Sequence, residues 1–129
     1  MMTGLVTEGL EAIVRVGLRG PLGVEYAIDA VLDTGFTGDL VASLSTVEAL
    51  GLPLLDQEEI TLADDSVIPV SRYEGTVLWD GQERKILIHC LEGDSLLGMS
   101  LLRAHLLMVQ VVAGGQVTIT PFAPESASR

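Results

Sequence analysis

Along most of this chain apolar and polar residues alternate with a period of two, and no other feature limits the possible folds as strongly. Leu10, Ala12, Val14, Val16 and Leu18 share one parity, while Glu11, Arg15 and Arg19 sit on the other. A half-buried strand needs this spacing because successive side chains point to opposite faces of a sheet. Gly20, Pro21 and Gly23 then supply turn chemistry. A second strand follows, with Val24, Tyr26, Ile28, Ala30 and Leu32 on one face and Glu25 and Asp29 on the other. The two runs read as a β-hairpin that ends at Val31-Leu32-Asp33-Thr34-Gly35.

A short strand is expected over 39–43, followed by one short helix. Ser45-Thr46-Val47-Glu48 has the capping-box pattern, Gly51 stands where a C-terminal cap belongs, and Pro53 blocks continuation. Next comes a hairpin with strands over 59–63 and 67–79 and a polar tip, Asp64-Asp65-Ser66. Pro69 in the long strand predicts an edge position or a bulge. Asp80-Gly81 makes a tight turn, and the chain returns over 84–90. The stripe Met99, Leu102 and Leu106 predicts a second short helix over 99–105. Strands over 106–112 and 116–120, joined at Gly114-Gly115, close the chain before a frayed tail, 121–129. The expected class is all-β with one or two short helices.

With 129 residues, 48% hydrophobic and 19% charged, the chain can bury a core as a single domain, 1–129, with its core over about 5–120. Seven Lys and Arg against 18 Asp and Glu give a formal charge of −11, which disfavours nucleic acid and anionic membranes as partners. One cysteine, Cys90, excludes an internal disulfide framework and a multi-cysteine metal site. The opening MMTGLVTEGLEA lacks the basic start and apolar run of a signal peptide. Arg103, His105 and Gln110 interrupt the most apolar region, 101–113. A soluble, cytoplasmic protein is expected.

Asp33-Thr34-Gly35 is where chemistry enters. A carboxylate ends a strand that otherwise belongs in the core, and an ionised Asp without partners is expensive to bury. The triplet alone is also a plain strand-to-turn exit. Some sixty residues on, past the polar-tipped hairpin, stands Leu96-Leu97-Gly98, leading into the second short helix.

In the order and spacing of Val31-Leu32-Asp33-Thr34-Gly35-Phe36-Thr37-Gly38, the segment 45–52, the hairpin around Ala63-Asp64-Asp65-Ser66, and Leu96-Leu97-Gly98, the chain resembles the retropepsin-like aspartic proteases. The likeness is to prokaryotic single-domain members with an Asp-Thr-Gly-Phe motif, and it covers roughly residues 5 to 120. It implies a closed β-barrel with one lobe per chain, no cofactor and no metal. Since one chain has one Asp-Thr-Gly, it implies a homodimer in which two Asp33 carboxylates hold one water and share one proton. By the same resemblance, Thr34 links the two active-site loops and Gly35 presents backbone to substrate. Leu96, Leu97 and Gly98 brace the loop, and Ala63, Asp64, Asp65 and Ser66 form a flap over an extended peptide with apolar side chains.

The chain departs from viral members in three places. The flap tip lacks glycines, Phe36 is bulky and expected to narrow the cleft, and Thr37 and Met99 replace an Asp–Arg pair that braces the dimer. Two other classes stay open: a non-catalytic or vestigial dimer that binds peptides by strand addition, and a fold-related hydrolase acting on something other than a peptide. His89 and His105, with no third histidine, read as structural. Cys90 points away from His89 on a strand and forms no thiol–imidazole pair. Ser43, Ser45 and Ser66 lack a G-x-S-x-G context. Trp79 reads as packing at a hairpin end, and Glu58-Glu59 as a solvated charge pair.

Overall fold

Over Ala12–Arg19 and Gln116–Pro121 the alternation in the sequence becomes a strand with one buried face. The computed structural model describes residues 1–123. Its elements are β1 (Met2–Val6), β2 (Ala12–Arg19), β3 (Glu25–Leu32), β4 (Leu40–Ala42), α1 (Leu44–Leu50), β5 (Leu54–Thr61), β6 (Val67–Trp79), β7 (Gln82–Cys90), β8 (Ser95–Leu97), α2 (Met99–Leu102), β9 (His105–Val109) and β10 (Gln116–Pro121). In β2 the parity of the sequence holds: Val14, Val16 and Leu18 are buried.

Strand order is β5-β6-β7-β4-β8-β3-β2-β1-β10-β9, and β6 also pairs with β2. That last pairing, Gly17 with Leu78 through Arg19 with Thr76, closes β2, β3, β8, β4, β7 and β6 into a six-stranded barrel. Closure removes the free edges of these strands. Leu18, Leu40, Val77, Ile88 and Leu97 lie in the core with no more than trace exposure. Two appendages extend from the barrel. β1, β10 and β9 continue the sheet beyond β2. The β5–β6 hairpin projects on the other side: β7 meets β6 only from Arg72 onward, so 67–71 pair with β5 alone. Pro69, opposite Glu59, sits in that two-stranded stretch, where its missing N–H disrupts no second ladder.

Several expectations need correction. The cap of α1 is Ser43, whose hydroxyl accepts from Thr46 N, and not Ser45; β4 ends at Ala42, so the helix begins two residues sooner. Gly51 does form the left-handed C-cap, at φ 64°. The second helix is a single turn, Met99–Leu102, because Ala104 turns to φ 63° and His105 already belongs to β9. β9 ends at Val109, three residues short of the expected strand. Leu10 lies in a turn at φ 63°, and Val24 and Tyr26 are exposed rather than sharing the core face with Ala30. Pro121 pairs with His105 and Phe122 N donates to Ala104 O, so the tail is anchored at its start; 124–129 lie outside the described residues. β1, absent from the sequence reading, pairs with both β10 and β2. Among the described residues no helix is long and apolar enough to cross a membrane.

Candidate active site

Asp33 is the first residue after β3, where the chain leaves the barrel wall, and its side chain is partly exposed. One carboxylate oxygen, Oδ1, accepts a hydrogen bond from Gly35 N at 2.9 Å. The Asp33 carbonyl accepts from Phe36 N at 3.1 Å, so 33–36 forms a turn that fixes the carboxylate over its own backbone. Thr34 is exposed, and its hydroxyl has no partner among the described residues.

Leu96-Leu97-Gly98 lies against this loop. β8 lies parallel to β3, pairing Ala30, Val31 and Leu32 with Ser95, Leu96 and Leu97. Asp33 N then donates to Leu97 O at 2.9 Å, Gly98 N to Asp39 O at 2.9 Å, Met99 N to Phe36 O at 2.8 Å, and Ser100 N to Gly38 O at 3.2 Å. Four backbone bonds thus lace the Asp33 loop to the segment entering α2. Gly98 permits this contact. A Cβ there would lie 2.2 Å from Gly38 O and 2.5 Å from a ring carbon of Phe36, distances no side chain tolerates.

Phe36 packs back against its own loop and also lines a small cavity beside it. Its ring folds over Gly38 and Gly98 and meets His89 edge-on, with centroids 5.3 Å apart. A ring in this place needs two residues without side chains beneath it, and the sequence supplies both. His89 is buried, with Nε2 3.5 Å from Glu58 Oε1 and Nδ1 without a hydrogen-bond partner among the described residues. Glu58 also pairs with Arg72, and Arg72 binds Asp56 through two contacts, 2.7 and 2.6 Å. Glu58 is therefore part of a charged network, not a solvated pair. Arg72 holds the Asp56 carboxyl below the usual Asp range, chiefly by hydrogen bonding.

A cavity of about 230 Å³ opens between loop and hairpin, lined by Phe36, Thr37, Asp39, Glu58, Arg72 and His89 among others. Sequence reasoning missed Glu58, Arg72 and His89 at this place. The available signal was the pairing of an aromatic at 36 with glycines at 38 and 98. A larger cavity, about 610 Å³, lies near Arg19, Pro53 and Lys85 and touches none of 33–36. Size favours the second; proximity to the loop chemistry favours the first, and proximity decides. Asp33 itself lines neither.

The hairpin tip is self-contained. Asp64 Oδ1 accepts from Ser66 N and Oγ, Leu62 N donates to Ser66 O, and Asp65 adopts φ 65°. The Ser66 hydroxyl holds the Asp64 carboxyl below its usual range. Asp64 thus shapes the turn, and Ala63 and Asp65 complete it. None of these hydrogen bonds runs to Asp33, so the chain joins the loop to the base of the hairpin and not to its tip.

Elsewhere, Trp79 packs at the hairpin end as expected, 6% exposed, and its Nε1–H donates to His105 Nε2 at 3.0 Å. His105 Nδ1 lies 2.8 Å from Arg103 O. Burial, with Glu92 and Glu48 nearby, pushes the Cys90 thiol up, away from thiolate chemistry. Among the described residues no group of three or more His, Cys, Asp or Glu is placed to hold a metal ion. No protein-family model, curated protein or solved structure matches the chain.

Proposed function

We propose that this chain is a homodimeric aspartic endopeptidase of the retropepsin-like type, with Asp33 from each copy forming one site. One observation carries the reading: the Asp33 carboxylate stands where β3 leaves a closed barrel, on a loop laced by backbone hydrogen bonds to Leu97-Gly98. The bracing residues do no chemistry. They hold Asp33 on a rigid turn, which lets two such loops meet with little reorganisation.

In this reading two Asp33 side chains share one proton around a water. The ionised partner takes a proton from the water as its oxygen bonds to the peptide carbon, and the protonated one passes its proton to the carbonyl oxygen. The resulting gem-diol collapses as the leaving amine receives a proton. Thr34, exposed and unpartnered among the described residues, can bond across the two loops. Among the described residues the outer edge of β5 is unpaired, so an extended peptide can add there as a strand. The single thiol, Cys90, suits a reducing compartment, and the proposal places the enzyme in the cytoplasm.

The test compares wild type with Asp33→Asn on an unfolded protein at acidic to neutral pH. Cleavage is expected to fall by roughly 10²–10⁴-fold, with the mass of the assembly unchanged. If both proteins are inert but bind peptide equally, the strand-adding binding module replaces the enzyme. If both are inert toward peptide and bind none, the peptidase reading fails.

A further inference from the structure

Alternation along β7 puts residues 84, 86 and 88 on one face of the strand, and Ile86 and Ile88 are buried in the core. Arg84 keeps that inward parity near the start of the strand, opposite the fully buried Val77 of β6. A guanidinium at a core-facing position is expensive unless it is hydrogen-bonded. Arg15, Arg19 and Arg72 each meet carboxylates, which a chain with 18 Asp and Glu supplies in excess. The half-buried Arg84 binds backbone instead. Its Nη1 donates to Leu101 O at 3.0 Å and its Nη2 to Ser100 O at 3.2 Å.

α2 needs these donors. The last four carbonyls of an α-helix have no partner inside it, and α2 is only four residues long. It has no side-chain cap at its start, and a helix this short does not stand alone. Its first N–H groups go to the Asp33 loop, Met99 N to Phe36 O and Ser100 N to Gly38 O. Ser100 therefore gives its N–H to the loop and its C=O to Arg84. Phe36 in turn donates its own N–H to Asp33 O. A run of hydrogen bonds thus leads from the barrel wall at Arg84, through α2, to the turn that fixes the Asp33 carboxylate.

We propose that Arg84 is a positioning residue of the Asp33 site. It fixes α2 against β7, and α2 fixes the loop that presents the acid. The proposal rests on the reading of Asp33 as half of a peptidase site. Among the described residues no hydrogen bond or ion pair joins Arg84 to Asp33, so it acts through α2. The planar fork of arginine spans two consecutive carbonyls, which the single ammonium of lysine cannot do equally well.

Amide hydrogen exchange and steady-state kinetics of wild type, Arg84→Met and Arg84→Lys test this. Methionine keeps an apolar stem and removes the donors, whereas lysine keeps a donor without the fork. In Arg84→Met the amides of Asp33, Met99 and Ser100 are expected to exchange more than about tenfold faster, with the β2–β6 ladder unchanged. For cleavage of an unfolded protein, kcat is expected to fall about 10- to 100-fold while KM stays within about twofold. Arg84→Lys is expected to recover part of both effects, and it decides by the same comparisons with wild type if Arg84→Met does not fold. Exchange at the three amides that matches wild type overturns the proposal. So does a rise shared equally by the ladder, which marks a role in global stability alone. An active wild type whose kcat survives Arg84→Met overturns the positioning role and leaves the peptidase reading standing. A wild type that cleaves nothing overturns the peptidase reading, and the catalytic role of Arg84 with it.

Discussion

Gly98 shows how one missing methyl group can set a site. The loop carrying Asp33 lies against the β8–α2 junction so closely that a Cβ at 98 would meet Gly38 O at 2.2 Å. Gly98→Ala is expected to destabilise the fold by about 1–3 kcal/mol, as overpacking does, and to displace the Asp33 loop. Urea denaturation reads the first effect; an unchanged midpoint would show that loop and junction are not in contact. His105 gives a second residue-scale case. Trp79 is buried with its N–H donated to His105 Nε2, so His105→Leu strands that donor and should cost about 1–3 kcal/mol. Adding Trp79→Phe should recover part of that loss. If the double variant is no more stable than His105→Leu, the hydrogen bond is not what matters there.

At the scale of elements, the β5–β6 hairpin is held at its base by Arg72, which ties Asp56 and Glu58 of β5 to the strand that enters the barrel. Asp56 has its folded-state pKa lowered, mainly by hydrogen bonding to Arg72. Stability from such a group is fully present above its unfolded-state pKa and is lost as pH falls through the lowered folded-state value. Acidification through and below the ordinary Asp range should therefore raise amide exchange in 54–71 before the barrel opens. Asp56→Asn should remove that acid-dependent component; an acid response identical to wild type would place the latch elsewhere.

The same scale shows what the sequence made legible. β2, β6 and β7 could be read because alternation and turn residues bound them locally. The contact between the Asp33 loop and Leu97-Gly98 joins segments some sixty residues apart, which no local pattern of alternation shows. β1 could not be read: MTGLV has no clear alternation, and its partner β10 begins at Gln116, over a hundred residues away. α2 was read too long because Met99, Leu102 and Leu106 keep helical spacing through a break that Ala104 makes by backbone conformation alone. The Glu58–Arg72–His89 network joins three strands, and no local window contains it.

At the scale of the molecule, barrel closure and dimer logic are separate matters. The β2–β6 pairing makes the chain a complete barrel with its own core. A complete fold with one Asp33 is nonetheless half a catalytic unit if peptide hydrolysis needs two carboxylates on one water. The molecule offers a loop, laced to the β8–α2 junction, to present that acid. Mixing wild type with Asp33→Asn at constant total chain, after exchange of subunits, tests this dependence most directly. If two chains build one site, an equal mixture retains about a quarter of the wild-type peptidase activity, because only paired wild-type chains work. If it retains about half, each Asp33 acts alone, and the two-chain site is contradicted.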